Sequence, residues 1–134
     1  MAVLRHDSRP IESSEDVVGV RGIVRQWAIE LGFSLVDQTK IVTAASELAR
    51  NALEHGKGGQ VRLEALNDGA RRGVRLVFED HGPGIADINQ ALRDGFTSGG
   101  GLGLGLGGAR RLVNNFEIES KPGEGTRVAI TRWK

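Results

Sequence analysis

Four polar residues in this sequence have the types and positions for chemistry: Glu47, Asn51, Asp80 and Thr126. Asp80 ends the run Val74-Arg75-Leu76-Val77-Phe78-Glu79-Asp80, whose positions 74, 76 and 78 are apolar. Side chains alternate along a strand, so Asp80 shares the parity of the core-facing set. A carboxylate aimed inward needs a partner, and in an apolar slot it suits an exocyclic amine such as that of adenine. Thr126 has the parity of Val128 and Ile130, which aims its hydroxyl at the same core. Glu47 and Asn51 stand at i and i+4 on one helical face beside an apolar stripe, which predicts partial burial. A carboxylate with an amide one turn later suits a metal–phosphate site. Asn offers Mg²⁺ a neutral oxygen, and Mg²⁺ keeps several waters and takes further ligands from phosphates. Glu47 is then left to act as a general base.

Between these residues lies Gly95–Gly108, in which eight of fourteen residues are glycine. Such a run resists both helix and strand. It suits a loop whose backbone N–H groups lie against a ligand, and a following helix N-terminus favours phosphate. A flexible linker is the plainer alternative, but Leu102, Leu104 and Leu106 at every second position are unlike a linker. No Gly-Lys-Ser/Thr ending is present, which excludes the usual P-loop. Gly103, Gly105 and Gly108 match the dinucleotide pattern GxGxxG, but no strand immediately precedes them. In so glycine-rich a stretch this is a chance match. His55 and His81 lack the helical His–Glu spacing of a zinc site and are weak metal candidates.

Composition narrows the function classes. The net charge is +1, the basic residues are scattered and tyrosine is absent, so neither a field nor an aromatic platform favours nucleic acid. Cysteine is absent, which removes disulfides and thiolate chemistry and fits a reducing compartment. No apolar stretch approaches about 18 residues, so no membrane span is expected. Met1–Asp7 is too polar for a signal peptide. A cytoplasmic protein folded as one domain over residues 1–134 is expected.

The elements that must position these groups follow from periodicity. Residues 2–6 can form a short edge strand. Ser13-Ser14-Glu15-Asp16 is a helix start, with Val17, Val20, Val24, Trp27, Ala28 and Leu31 at helical spacing and Gly32 as the stop. Gly19 and Gly22 inside this helix suggest tight packing. Trp27 and Trp133 are expected in the core or at an interface. A second helix fits Leu35–Glu54, with Ile41, Ala44, Ala45, Leu48 and Ala52 as its stripe. Val61–Leu66 and Val74–Asp80 read as a hairpin, residues 85–93 as holding a short helix, and a third helix extends to about Asn115. Phe116–Ser120 and Thr126–Trp133 complete the strands. Together these predict a two-layer α/β sandwich. Its mostly antiparallel, mixed sheet has about five strands, covered on one face by about three helices.

The order of the motifs resembles the Bergerat-fold (GHKL) ATP-binding family, which includes gyrase B, Hsp90, histidine-kinase ATP domains and the bacterial anti-sigma kinases. Glu47-Leu48-Ala49-Arg50-Asn51 looks like its N box and Asp80-His81-Gly82-Pro83-Gly84 like its first glycine box. Gly101-Leu102-Gly103-Leu104-Gly105-Leu106 looks like the second glycine box, in the ATP lid, and Gly125-Thr126 like the last element. Within the family, Asn51-Ala52-Leu53-Glu54-His55-Gly56 resembles the anti-sigma serine kinases, and Glu30-Leu31-Gly32-Phe33, Ser46–Asn51, Glu79–Ile85, Asp94-Gly95-Phe96 and Gly123-Glu124-Gly125-Thr126 resemble the stressosome switch kinases of the RsbT type. The resemblance implies ATP and Mg²⁺ as cofactors. Asp80 would bond the adenine amine, with Thr126 supporting it through water. Gly82 and Gly84 would pass close to the base, Asn51 would ligate Mg²⁺, and Glu47 would be the catalytic base. Gly101, Gly103 and Gly105 would wrap the triphosphate, with Leu102, Leu104 and Leu106 anchoring the same nucleotide-binding loop. Arg110 and Arg111 could neutralise phosphate or form a solvated face. The implied activity is phosphorylation of Ser or Thr on a STAS-domain scaffold or antagonist, followed on release by activation of a PP2C-type phosphatase. The alternative is an ATP-gated anti-sigma factor that sequesters a sigma factor and phosphorylates its antagonist. No nucleic acid or membrane partner is implied.

Overall fold

The computed structural model describes residues 1–93 and 105–134. Strand β1 (Ala2–Ile11) leads into helix α1 (Ser14–Glu30) and helix α2 (Leu35–Glu54). Strands β2 (Gly59–Asn67) and β3 (Arg72–Asp80) follow, then the short helices α3 (Ile88–Ala91) and α4 (Gly105–Arg111), and finally β4 (Asn115–Ser120) and β5 (Thr126–Trp133). Each long helix starts where a serine can satisfy a free N–H group. The Ser13 hydroxyl accepts from Asp16 N at 3.2 Å, and the Ser34 hydroxyl accepts from Asp37 N at 3.1 Å. Gly32, at φ +85°, turns the chain between the helices.

The strands form one sheet in the order β1-β2-β3-β5-β4, and every pairing is antiparallel. The predicted sandwich is therefore present, with a wholly antiparallel rather than mixed sheet. Val61 and Leu63 of β2, Val74, Leu76 and Phe78 of β3, and Val128 and Ile130 of β5 face the helices. They meet Val20, Val24 and Trp27 of α1 and Ile41, Ala45 and Leu48 of α2 in one core. Burying each of the larger side chains contributes about 1.5–3 kcal/mol. The opposite sheet face carries ion pairs, Arg75–Glu64 at 2.9 Å and Arg62–Glu64 at 3.5 Å among them. Val77 and Ala129, on this same face by strand parity, are nonetheless buried. No helix among the described residues is long and apolar enough to cross a membrane.

Several boundaries differ from the sequence expectations. β1 reaches Ile11 rather than residue 6, because β2 continues to pair with it through Pro10. Proline is tolerated there because β1 is the edge of the sheet. The third helix ends at Arg111, short of Asn115, because residue 115 already pairs with Thr131 in the sheet. The short helix occupies only Ile88–Ala91. Tight packing does not explain Gly19 and Gly22, since a Cβ at either would meet nothing within 4 Å. Trp27 is fully buried, whereas Trp133 is half-buried under the Arg71 guanidinium, 4.3 Å from its ring centroid.

Candidate functional site

A cavity of about 440 Å³ opens between α2 and the ends of β3 and β5. Glu47, Asn51, Asp80, Gly84, Gly105 and Thr126 are among the residues lining it. The sheet supplies one side and the helix the other, and residues from distant parts of the chain meet there for definite reasons.

Asp80 and Thr126 are direct partners in the β3–β5 ladder, so their side chains leave the same sheet face side by side. Asp80 Oδ1 accepts from Gly82 N at 3.0 Å, which fixes the carboxylate and opens the turn that follows. Three glycines leave room around it. A Cβ at Gly56 would fall 2.5 Å from Asp80 Oδ2 and closer still to Asp80 Cβ and Cγ. One at Gly82 would fall 2.6 Å from Gly56 Cα, and one at Gly125 would press on the Asp80 carbonyl. Gly84 sits at φ +77° with Lys121 O against the place a Cβ would occupy, so only glycine fits there without strain. Gly123 N donates to Pro83 O at 2.7 Å, which ties this turn to the β4–β5 connection.

Ser120 fastens the same corner. Its hydroxyl accepts from Ile85 N at 2.8 Å, donates to Gly125 O at 3.0 Å, and lies 2.8 Å from Thr126 Oγ1. Sequence reasoning missed Ser120 and Gly56. Ser120 could have been found, since a short turn makes it the hairpin partner of Thr126 on the core parity. Gly56 could not, because its tight fit depends on how the end of α2 meets β3.

The helix side carries Glu47, only 6% exposed, with Asn51 half-buried one turn later. A surface acid is therefore excluded for Glu47. Its buried charge is met from two directions: the Arg50 guanidinium donates to Oε1, and Gly105 N donates to Oε2 at 3.1 Å. The second bond joins α2 to the start of α4. Leu106 is buried against the core and lines the cavity beside Gly105.

The structure thus brings Glu47, Asn51, Asp80, Gly84, Gly105, Leu106 and Thr126 to one cavity, with Gly82 packed behind Asp80. Gly101, Leu102, Gly103 and Leu104 lie outside the described residues. Arg110 and Arg111 are exposed and are not among the lining residues. Among the described residues no three His, Cys, Asp or Glu side chains gather as a metal cage. The donor set instead offers one neutral amide oxygen at Asn51 beside a buried carboxylate. That fits a cation such as Mg²⁺ that completes its sphere with phosphate and water. Acceptors at one end and an acid–amide pair at the other suit a ligand with an amine at one end and metal-bound phosphates at the other.

The chain is similar to several known proteins. Residues 36–134 match the family described as histidine kinase-, DNA gyrase B-, and HSP90-like ATPases. The chain is 45% identical over 118 residues to the serine/threonine-protein kinase RsbT of Bacillus subtilis, covering 88% of this chain and 89% of that one. It is 30% identical over 128 residues to the anti-sigma F factor of Clostridium kluyveri, covering 91% and 89%. Among solved structures, the RsbU and RsbW domains of a Mycobacterium tuberculosis protein match with a TM-score of 0.65 and 27% identity. That match covers 97% of this chain and 32% of the other.

Proposed function

Because the chain belongs to the histidine kinase-, DNA gyrase B-, and HSP90-like ATPase family, we propose that it binds Mg-ATP in this cavity and phosphorylates Ser or Thr on a STAS-domain scaffold or antagonist. Kinship with a serine/threonine-protein kinase across most of the chain gives the enzyme class and its nucleotide. The observation that carries the reading is the pairing, in one cavity, of buried Glu47 and Asn51 with Asp80 and Thr126.

In this reading Asp80 accepts from the adenine exocyclic amine and Thr126 assists. Gly82 and Gly84 let the backbone approach the base. Asn51 would hold Mg²⁺, which when bound would supply charge neutralisation at the phosphates. Glu47 receives the proton of the attacking hydroxyl as its oxygen bonds to the γ-phosphorus and the β–γ bridging oxygen departs. Arg50 and the Gly105 N–H each occupy one lone pair, on different Glu47 oxygens, so a second lone pair on each oxygen is left for that proton. The chain acts as one cytoplasmic kinase domain in a partner-switching module. Once released from its STAS partner, it binds and activates a PP2C-type phosphatase.

The 30% identical anti-sigma F factors support a second reading, in which the chain sequesters a sigma factor and phosphorylates the antagonist that frees it. Incubation of the pure protein with labelled ATP, Mg²⁺ and candidate STAS and sigma proteins separates the two. Label on a STAS Ser or Thr, with no stable sigma complex, supports the switch kinase. Tight sigma binding supports the alternative. Absence of any phosphotransfer to any STAS protein refutes both.

A further inference from the structure

Among the described residues that line the cavity, Glu47, Glu54, Asp80 and Asp87 carry carboxylates, and Arg50 is the only lysine or arginine. The sequence of residues 94–104 contains neither lysine nor arginine. Arg110 and Arg111, further on, are exposed and do not line the cavity. A wall so rich in acids offers a polyphosphate one fixed cation. Arg50 stands three residues after Glu47 and immediately before Asn51, on the α2 side of the cavity and across from the sheet that carries Asp80 and Thr126. Its guanidinium has five N–H donors in a planar fork. One donates to Glu47 Oε1. No other hydrogen bond or ion pair holds Arg50 among the described residues, and its side chain is 40% exposed, so four donors remain for a ligand.

We propose that Arg50 is a catalytic residue that bridges the base and the transferred group: one N–H stays on Glu47 while the free edge of the guanidinium donates to the γ-phosphoryl oxygens. This rests on the reading above, in which Glu47 is the base and the phosphates lie beside Asn51. As the acceptor hydroxyl oxygen bonds to the γ-phosphorus, its proton passes to a free lone pair of Glu47. The bond from the γ-phosphorus to the β–γ bridging oxygen breaks, and its electron pair leaves with ADP. During this step negative charge spreads over the three outer oxygens of the phosphoryl group. A planar fork meets two of those oxygens with parallel charge-assisted bonds, which a point charge cannot do. The contact is to the phosphate that ADP lacks. The same residue therefore makes the site prefer ATP to ADP.

The test compares the β,γ-imido analogue of ATP with ADP, each with Mg²⁺, by calorimetry on the full chain and its variants. Arg50→Met keeps an unbranched stem and removes the fork. The ratio of analogue to ADP affinity is expected to fall about tenfold or more, the scale of a lost hydrogen bond between charged groups, while ADP affinity stays within about twofold. Arg50→Lys keeps the charge without the fork and should fall in between. Single-turnover transfer to the STAS protein that the wild type labels should drop about 10²–10³-fold in Arg50→Met. Loss of Arg50 also leaves the buried Glu47 charge with one donor fewer, which can unfold the variant. Arg50→Met is therefore made in a Glu47→Gln background as well, where no buried charge is uncovered. The affinity ratio should fall there too, whereas an Arg50 that acts only by holding Glu47 would leave it unmoved. An unchanged ratio in folded Arg50→Met or in the double variant, or an undiminished transfer rate in folded Arg50→Met, overturns the proposal. The kinase reading survives that failure if the wild type still labels its acceptor. If the wild type binds neither nucleotide, that reading falls and this inference with it.

Discussion

Gly56→Ala changes one hydrogen into a methyl group and is expected to disable the nucleotide site from behind. The new Cβ would stand 2.5 Å from Asp80 Oδ2 and nearer still to Asp80 Cβ and Cγ, well inside van der Waals contact. The Asp80 Cβ cannot swing away as the tip of a long side chain could. Either the end of α2 retreats from β3 or the carboxylate rotates and gives up its 3.0 Å bond from Gly82 N. Overpacking of this kind costs about 1–3 kcal/mol of stability, which for a domain of this size lowers Tm by about 3–10 °C. If Asp80 binds the adenine amine as proposed, its misplacement also costs that bond, about 1.5–3 kcal/mol for a hydrogen bond to a charged group. ATP affinity should then fall about 10- to 100-fold. Calorimetric titration with Mg-ATP at a temperature where the variant remains folded, alongside a thermal melt, reads both numbers. Gly22→Ala is the matched control, since its Cβ meets nothing within 4 Å and it lies on an exposed part of α1. It should raise stability by about 1 kcal/mol and leave ATP affinity alone. A folded Gly56→Ala that binds ATP within about twofold of wild type would refute the claim that this glycine makes room for a nucleotide-binding Asp80.

Glu47→Gln keeps the size of the side chain but removes its basicity, so phosphotransfer should fall by about 10²–10⁴-fold while ATP still binds; an undiminished single-turnover rate would remove Glu47 from the base role. Asn51→Ala should preserve the fold and cut the Mg²⁺-dependent part of ATP affinity about tenfold or more, read by titration with and without Mg²⁺; equal Mg²⁺ dependence in both proteins would exclude Asn51 as a ligand. Asp37 is held below its ordinary value of 3.8 chiefly by its hydrogen bond from Arg132, with Ser34 assisting. A depressed folded-state value means the stabilisation is fully present above 3.8 and fades as pH falls below it toward the folded value. Urea unfolding from neutral pH down to about pH 2.5 should show Asp37→Asn losing less stability on acidification than wild type; parallel curves would show that the 2.6 Å pair with Arg132 contributes nothing.

Most of the site was legible because its residues obey local periodicities. Strand parity alone placed Asp80 and Thr126 on the core face, and they prove to be ladder partners. Helical spacing alone put Glu47 and Asn51 on one wall of the cavity. What stayed hidden depends on contacts between elements. Gly56 reads as an ordinary helix end until β3 is laid against it. The Gly105 N–H bond to Glu47 spans two elements that no periodicity connects. The long β1 was missed because its residues are exposed on both faces except at Asp7 and Ile11, so they show no alternation. Its length is set by the partner strand, not by its own pattern.

The sheet order also dictates how this molecule must assemble. β2 with β3, and β4 with β5, are hairpins joined by short turns and can form early from local contacts. The β3–β5 seam is different: like β1–β2 it joins strands far apart in sequence, here separated by residues 81–125, and loop-closure entropy delays it. Asp80 and Thr126 face each other across this seam, so neither hairpin alone holds both residues of the proposed adenine pocket. A nucleotide bound there adds its binding energy to the joined state alone. Amide protons along the seam should therefore gain the most protection from exchange when ATP is added, while those of the β2–β3 turn gain little. Of the two long-range pairings in the sheet, β1–β2 and β3–β5, the second is the one that a nucleotide in the cavity would hold closed.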